Sequence, residues 1–443
     1  MGLHCLLISI NQVQTPYVVH PLGMAHIAGA LEEAGHFVRQ YDVLAEGGLS
    51  GLDGVFADQC FDVVGISIRN IDTVDSADPQ FFLGTAFQAI SEVKRKTDAP
   101  IILGGGAFTL FPELIMQNLK ADYGVMGEGE IAVCDLVGQI EKGTAPARGT
   151  ILRGTSLSTG AWQSVKYDPM ITDYYSRRGG MLNVQTKRGC PFRCDYCSYP
   201  TLEGNVYRYR DPKEVVDEVE RIKQDFGCKY LFFTDSVFND LKNRYLEICE
   251  ELIRRGNKMP WCGYFRPSHL TKEALQIMKR SGLHAMEFGT DAASDQTLAG
   301  MHKAFRMDDV FESHRLVREL DIPAAHFVIF GGPEETNETL REGLENMRQL
   351  NGAAVFGFSG IRILPHAPIQ KRAVSEGVIG ADDDLLEPVF YFSPHLKRTE
   401  MEEEITKAWA EDTTKIFPVS DSLASINVMH KAGMVGPLWD KLL

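Results

Sequence analysis

Lys187-Arg188-Gly189-Cys190-Pro191-Phe192-Arg193-Cys194-Asp195-Tyr196-Cys197 sets three cysteines in a C-x3-C-x2-C spacing. The preceding run, Met181–Thr186, predicts a short strand, so the cysteines fall on the loop at its C-terminal end. No fourth cysteine lies nearby. Zinc in a structural site takes four closed ligands. A four-iron cluster held by three thiolates instead leaves one iron open to the N and O donors of a small molecule. A zinc loop and a chance grouping of thiols are the competing readings.

That strand opens a series. Further strands are predicted at Tyr230–Asp235, Trp261–Arg266, His284–Thr290, Ala324–Gly331 and Val355–Ile363, separated by helices such as 211–226, 239–255 and 336–350. Residues 181–370 then hold six βα units, too few for a closed eight-unit barrel. An open, partial (β/α)6 barrel follows, with its reactive groups at the strand C-termini.

Upstream, Leu6–Ile10, Val38–Val43, Asp62–Ile68, Pro100–Gly106 and Tyr123–Gly129 predict five strands. Helices are expected at Leu22–Ala34, stopped by Gly35, and at 79–96, 111–119 and 130–141. This alternation predicts an α/β, doubly wound, Rossmann-like domain over 1–145. Residues 146–180 read as a linker with a short hairpin at 150–166. Residues 371–443 read as a short, mostly helical C-terminal region with a charged helix at Lys397–Ile416.

The chain has 443 residues, 44 % hydrophobic and 24 % charged, which are globular values that exclude disordered and fibrous classes. No apolar run is long enough for a membrane span. The start, Met1-Gly2-Leu3-His4-Cys5, lacks the basic segment of a secretory signal, so a cytoplasmic location is expected. Forty-five basic against 60 acidic residues give a net charge of −15 and disfavour nucleic acid as a partner. Nine cysteines, odd in number and clustered only here, point to a metal rather than disulfides.

Cys190, Cys194 and Cys197 resemble the cluster ligands of the radical S-adenosylmethionine (SAM) superfamily, and Tyr196 falls where that family sets an aromatic against the adenine. The resemblance implies a [4Fe-4S] cluster whose open iron binds S-adenosyl-L-methionine and cleaves it to methionine and a 5′-deoxyadenosyl radical. An electron donor of the flavodoxin or ferredoxin type is implied with it. Later segments fit in order. Thr234-Asp235-Ser236 resembles the second-strand contacts to the SAM amino group. Glu287-Phe288-Gly289-Thr290-Asp291 resembles the Gly-x-Glu-Ser motif of strand four, with Asp291 in place of the longer Glu, beside Gly289. Phe330-Gly331-Gly332-Pro333-Glu334-Glu335-Thr336 resembles the fifth-strand turn, where Gly331 and Gly332 would let backbone approach the adenosine. Ile363-Leu364-Pro365-His366-Ala367-Pro368 resembles the sixth-strand end. Arg266, ending strand three, is suited to the SAM carboxylate.

In the first domain, ligands are expected at the strand C-termini near the switch point. Asn11 and Gln12 lie there, as do Ser67, Arg69, Asn70, Gly104, Gly105, Gly106, Gly127, Glu128 and Gly129. No G-x-G-x-x-G follows the first strand, so a dinucleotide is disfavoured. Together with Pro21, Leu22 and Gly23 this series resembles the cobalamin-binding domain found ahead of many radical SAM barrels. The resemblance implies that the cobalamin tail is buried here, with the corrin facing the barrel. The D-x-H-x-x-G signature is missing, so cobalt would lack a protein His; Arg69 reads either as a phosphate or surface arginine or as a cation beneath the corrin.

The expected function is therefore a cobalamin-dependent radical SAM methyltransferase, acting on an unactivated carbon through the deoxyadenosyl radical and methylcobalamin. Rearrangement, cyclisation or coupling without methyl transfer is the enzymatic alternative. A corrinoid or iron–sulfur carrier or sensor without turnover is the non-enzymatic one. Methylthiolation of tRNA is disfavoured by the acidic charge and by the lack of a second cysteine trio. A small molecule, lipid or peptide remains open as substrate. Cys5, Cys60, Cys134, Cys228, Cys249 and Cys262 read as small hydrophobes, with Cys262 the one placed to face the site. His284, His326 and His366 read mainly as hydrogen-bonded core residues, His366 being the best placed to move a proton. The run Pro388–Phe392 reads as packing for the tail.

Overall fold

The computed structural model describes residues 2–14, 17–162 and 164–443. Its first layer is a sheet of six parallel strands: β1 (His4–Ser9), β2 (Phe37–Asp42), β3 (Val63–Ser67), β4 (Ile101–Gly104), β5 (Tyr123–Met126) and β6 (Thr150–Arg153). Their order is β2-β1-β3-β4-β5-β6, which puts the topological switch between β1 and β3. Apolar runs such as Cys5-Leu6-Leu7-Ile8 are buried because helices cover both faces. The helix Leu22–Glu33 buries Met24, Ala25, Ala28 and Leu31 against one face, and the chain turns out of it at Gly35, where φ is 90°.

The hairpin expected at 150–166, of which Gln163 lies outside the described residues, is not formed. Thr150–Arg153 instead joins the free edge of β5 in parallel, with Tyr123 opposite Thr150. An unpaired edge leaves backbone groups unsatisfied, and four residues of extended chain cover it. The helix Pro169–Gly179 then leads to the second layer; Asp168 caps it by accepting from the N–H groups of Met170 and Ile171, and Gly180 (φ 64°) ends it.

The second layer begins with β7 (Leu182–Val184). The two-residue strands β8 (Lys187–Arg188) and β9 (Arg208–Tyr209) pair antiparallel and bracket the cysteine loop. The barrel continues with β10 (Leu231–Phe233), β11 (Trp261–Phe265), β12 (Met286–Asp291), β13 (Ala324–Phe330) and β14 (Ala354–Ser359). β15 (Ile361–Arg362) and β16 (Phe390–Tyr391) form an antiparallel pair. β17 (Lys415–Ile416) adds to β14 in parallel. The open sheet thus has seven strands, β7-β10-β11-β12-β13-β14-β17, one more than the sequence pattern predicts.

Three helices are shorter than expected, for local reasons; the one expected at 79–96 starts at Leu83, because Phe81 bridges to Asp72 and the Phe82 N–H donates to the Ile71 carbonyl. The charged helix of the tail runs only over Arg398–Trp409; an Asp412 turn follows, and the last two residues of the expected span become β17. The helix expected at 239–255 starts at Tyr245, because Asn239 donates to the carbonyls of Arg266 and Ser268 and Asp240 caps a turn at Lys242. The run 388–392 packs the tail down as expected: Tyr391 is fully buried in β16. No described helix is long and apolar enough to cross a membrane.

Candidate cofactor and active site

The strand C-termini of the first sheet face the mouth of the barrel, and a cleft with a cavity volume of about 360 Å³ lies between them. Every residue expected at this ligand site lines it except Gln12 and Asn70. The barrel contributes Asn183, Gln185, Tyr199 and Thr234 to the opposite wall. Gly105 is obligatory: its φ is 102°, and a Cβ there would stand 2.5 Å from the carbonyl oxygen of Ile68. Among the described residues, Asn11 Nδ2, both ring nitrogens of His20 and His26 Nε2 are buried in the cleft without a hydrogen-bond partner. Burial holds His20 neutral, with its pKa down to about 3. A neutral ligand rich in hydrogen-bonding groups, such as the amide-fringed corrin, would satisfy these orphans, so the cleft fits cobalamin. Arg69 stands exposed in the cleft, and its charge reaches the phenols of Tyr175, Tyr199 and Tyr264 across the domain boundary.

A buried ion network ties the two walls. Arg188 pairs with Glu128 at 3.1 Å and Glu130 at 2.7 Å, and stacks on Trp162. Arg208 also pairs with Glu128. The carboxylate of Glu128 therefore links domains rather than standing free for a ligand.

The cysteine loop starts two residues after Arg188. Gly189 (φ 87°) packs so tightly that a Cβ would meet the carbonyl of Val206 at 2.2 Å. Cys190 is buried, and Cys194 and Cys197 are half-buried. Burial pushes the Cys197 thiol up to about 12 and raises Cys194, and the thiols feel one another's charge. Among the described residues no three His, Cys, Asp or Glu donors converge on a single ion. Lys303 and Arg266 both act on Cys194 and supply positive charge against a tris-thiolate cluster.

The remaining expected SAM residues divide. Tyr196 donates its hydroxyl to Asp291 Oδ2 at 2.6 Å, and Lys303 pairs with the same oxygen. Asp291 holds this position with φ 63° at the end of β12. Arg266 is sandwiched between Phe192 and Phe305, with centroids at 4.1 and 4.8 Å. Its Nε donates to Ser268, and its terminal nitrogens have no acceptor among the described residues, as a SAM carboxylate would require. Thr234 faces the cleft, and Ser236 donates to the carbonyl of Gly189. Asp235, in contrast, is fully buried, with its oxygens taken by Thr186 and Lys187. It shapes the turn beneath the cysteine loop. Gly331 and Gly332 are crowded by protein: a Cβ would meet Phe392 at 2.9 Å and Met301 at 2.3 Å. Their small size admits these side chains on the side a Cβ would occupy. Gly289 stays half-buried on the inner face.

Lys303 escapes sequence reading because a lysine just past a helix carries no signal; only its burial beside Asp291 identifies it. His326 is a core residue bonded to Thr290, and His284 bonds to Asp440. His366 sits exposed in a turn. Cys262 points into the barrel but is fully buried beside Glu287.

The barrel itself is hollow in its upper half. Side chains alternate along each strand. Outward positions such as Trp261, Phe265, Phe288 and Val328 are at most 1 % exposed. Inward positions nearer the cysteine loop are not: Tyr264 is 38 % exposed, and Thr234, Phe327, Ile329 and Phe358 are half-buried. Of these inward residues, Thr234 also lines the cleft.

Comparison with known proteins agrees with this architecture. Residues 8–137 match the B12 binding domain family and residues 184–346 match the radical SAM superfamily. The tryptophan 2-C-methyltransferase of Streptomyces laurentii is 26 % identical over 84 % of this chain and 74 % of its own length. The anaerobic magnesium-protoporphyrin IX monomethyl ester cyclase of Cereibacter sphaeroides is 30 % identical over 54 % of this chain and 43 % of its own. The solved structure of the radical SAM methyltransferase TsrM from Kitasatospora setae, with tryptophan and a SAM analogue bound, superposes with a TM-score of 0.87. It is 23 % identical and covers 100 % of this chain and 97 % of that one. With a cysteine loop at the mouth of a partial barrel and a doubly wound domain facing it, this chain belongs to the radical SAM enzymes that carry a B12-binding domain.

Proposed function

We propose that this enzyme methylates a carbon atom of a small organic substrate held in the hollow of its barrel, with SAM as the methyl source. One observation carries the reading: the cleft of the B12-binding domain lies at the mouth of the barrel, walled on one side by Gly104, Gly105 and Arg69 and on the other by Gln185, Tyr199 and Thr234. A substrate there lies between two cofactors and within reach of both. When bound, cobalamin carries methyl groups, and the cluster passes single electrons to SAM. The protein's part is placement and exclusion of water. The cleft residues Asn11, His20 and Arg69 would hold the corrin. Cys190, Cys194 and Cys197 would hold the cluster, and Tyr196, Arg266, Asp291 and Lys303 would orient SAM. An electron donor of the flavodoxin or ferredoxin type and a reducing cytoplasm complete the reading.

The test is incubation of the reconstituted protein with reductant, trideuteromethyl-labelled SAM and pools of small metabolites. A product heavier by one labelled methyl group is expected. Deoxyadenosine with an unlabelled, ring-closed or rearranged product would replace methylation with the second reading, which the 30 % identity to a cyclase favours.

A further inference from the structure

The hollow of the barrel has a floor that the cofactor sites do not use. Glu287 points inward from β12, directly beside Tyr264 of β11 in the parallel register. It is 2 % exposed. The indole N–H of Trp439, in the final turn Trp439–Leu442, donates to its Oε1 at 2.9 Å. Its other oxygen has no hydrogen-bond partner, and the carboxyl group has no cation paired with it, among the described residues. The ionisable groups that feel its charge are Tyr17, Tyr230, Cys262 and Tyr264, none of them cationic. Above it rise the half-open rings of Tyr264, Phe327 and Phe358.

An unpaired carboxyl group at this depth costs stability, and hydrophobic replacement would relieve that cost. The fold nevertheless fixes one oxygen with an indole and leaves the other without a partner among the described residues, on the inner face that also carries Tyr264, Phe327 and Phe358. An ionised carboxylate only accepts hydrogen bonds. Its complement is a donor, and in a desolvated site a cationic donor returns the most. Aromatic faces also attract a cation.

We propose that Glu287 anchors the substrate through an ammonium group, so that the substrate class is a small amine whose apolar body lies against Tyr264, Phe327 and Phe358. This rests on reading the hollow as the substrate site. The test is equilibrium dialysis of the full-length, cofactor-loaded protein with tryptamine and tyramine against their matched alcohols, tryptophol and tyrosol. The amines are expected to bind at least tenfold more tightly than the alcohols. In Glu287→Gln that preference should vanish, with alcohol affinity and cofactor absorbance unchanged; Glu287→Asp, which keeps the charge, should keep it. Equal binding of amines and alcohols by the unaltered protein sinks the proposal, whatever the variants do. So does an amine preference that survives in Glu287→Gln. No turnover is needed. An amine preference without labelled-methyl transfer therefore retains the anchor and removes only the methylation reading.

Discussion

Glu335→Gln should change how the stability of this protein depends on pH. Glu335 is 1 % exposed in the turn after β13, where its carboxylate accepts the N–H groups of Gly331 and, at 3.2 Å, Gly332. These two bonds favour the charged form, but burial outweighs them and raises the pKa from 4.5 to about 7. The folded state therefore binds more protons than the unfolded chain between those values. Stability falls as pH rises through that window, and the loss is complete above the folded pKa. A pKa difference of one is worth about 1.4 kcal/mol. The raised pKa thus costs about 3 kcal/mol at high pH, most of which develops between about pH 5 and about pH 8. Glutamine keeps an acceptor for both N–H groups and has no charge to desolvate. Its own packing cost is independent of pH and cancels in the comparison. Glu287, also raised to about 7, contributes equally to both proteins and cancels as well. Urea unfolding followed by tryptophan emission at several pH values measures the difference. The variant should gain about 2–3 kcal/mol relative to the parent from about pH 5 to about pH 8. A constant offset across that range would show that Glu335 stays ionised throughout and refute the argument.

Three further perturbations probe the cofactor sites. Cys194→Ala should abolish cluster absorption and SAM cleavage while corrin binding by the first domain persists; SAM cleavage retained in that variant would overturn the cluster assignment. Gly105→Ala forces a Cβ to 2.5 Å from the Ile68 carbonyl at φ 102°, a strain of about 1–3 kcal/mol, and should lower the corrin absorbance retained after desalting. Lys303→Met leaves Asp291 with only the Tyr196 hydroxyl and removes a cation from the cluster loop. SAM affinity by equilibrium dialysis should fall about tenfold or more, equivalent to about 1.4 kcal/mol, with iron content unchanged.

What was legible in the sequence follows from range. The cysteine loop, the strand-end glycines and the βα alternation are local patterns, and the structure gathers the strand-end residues of the first domain, Gln12 and Asn70 apart, around one cleft at the mouth of the barrel. The errors share a cause too. Thr150–Arg153 and Lys415–Ile416 are short segments whose strand character comes from the free edges of β5 and β14, not from their own periodicity. Gly331 and Gly332 fit a motif, yet what they admit, Phe392 and Met301, comes from elsewhere in the chain. Lys303 and Glu287 gain their character from burial, which no window of sequence contains.

The tail shows how far that argument reaches. By composition, residues 371–443 are an irregular appendage. In the fold they complete the barrel: β17 extends the sheet, and Trp439 closes the floor and fixes one oxygen of Glu287. At the opposite end, Arg188 joins the first domain to the cysteine loop through Glu128 and Glu130. The hollow is thus bounded below by the C-terminal turn and above by the N-terminal domain. Neither the barrel strands alone nor either flanking segment would form it. The shape of the substrate space is therefore set by residues outside the motifs that identify the chemistry. That is the physical reason why the type of enzyme is readable from a short loop, while its substrate must be read from the assembled fold.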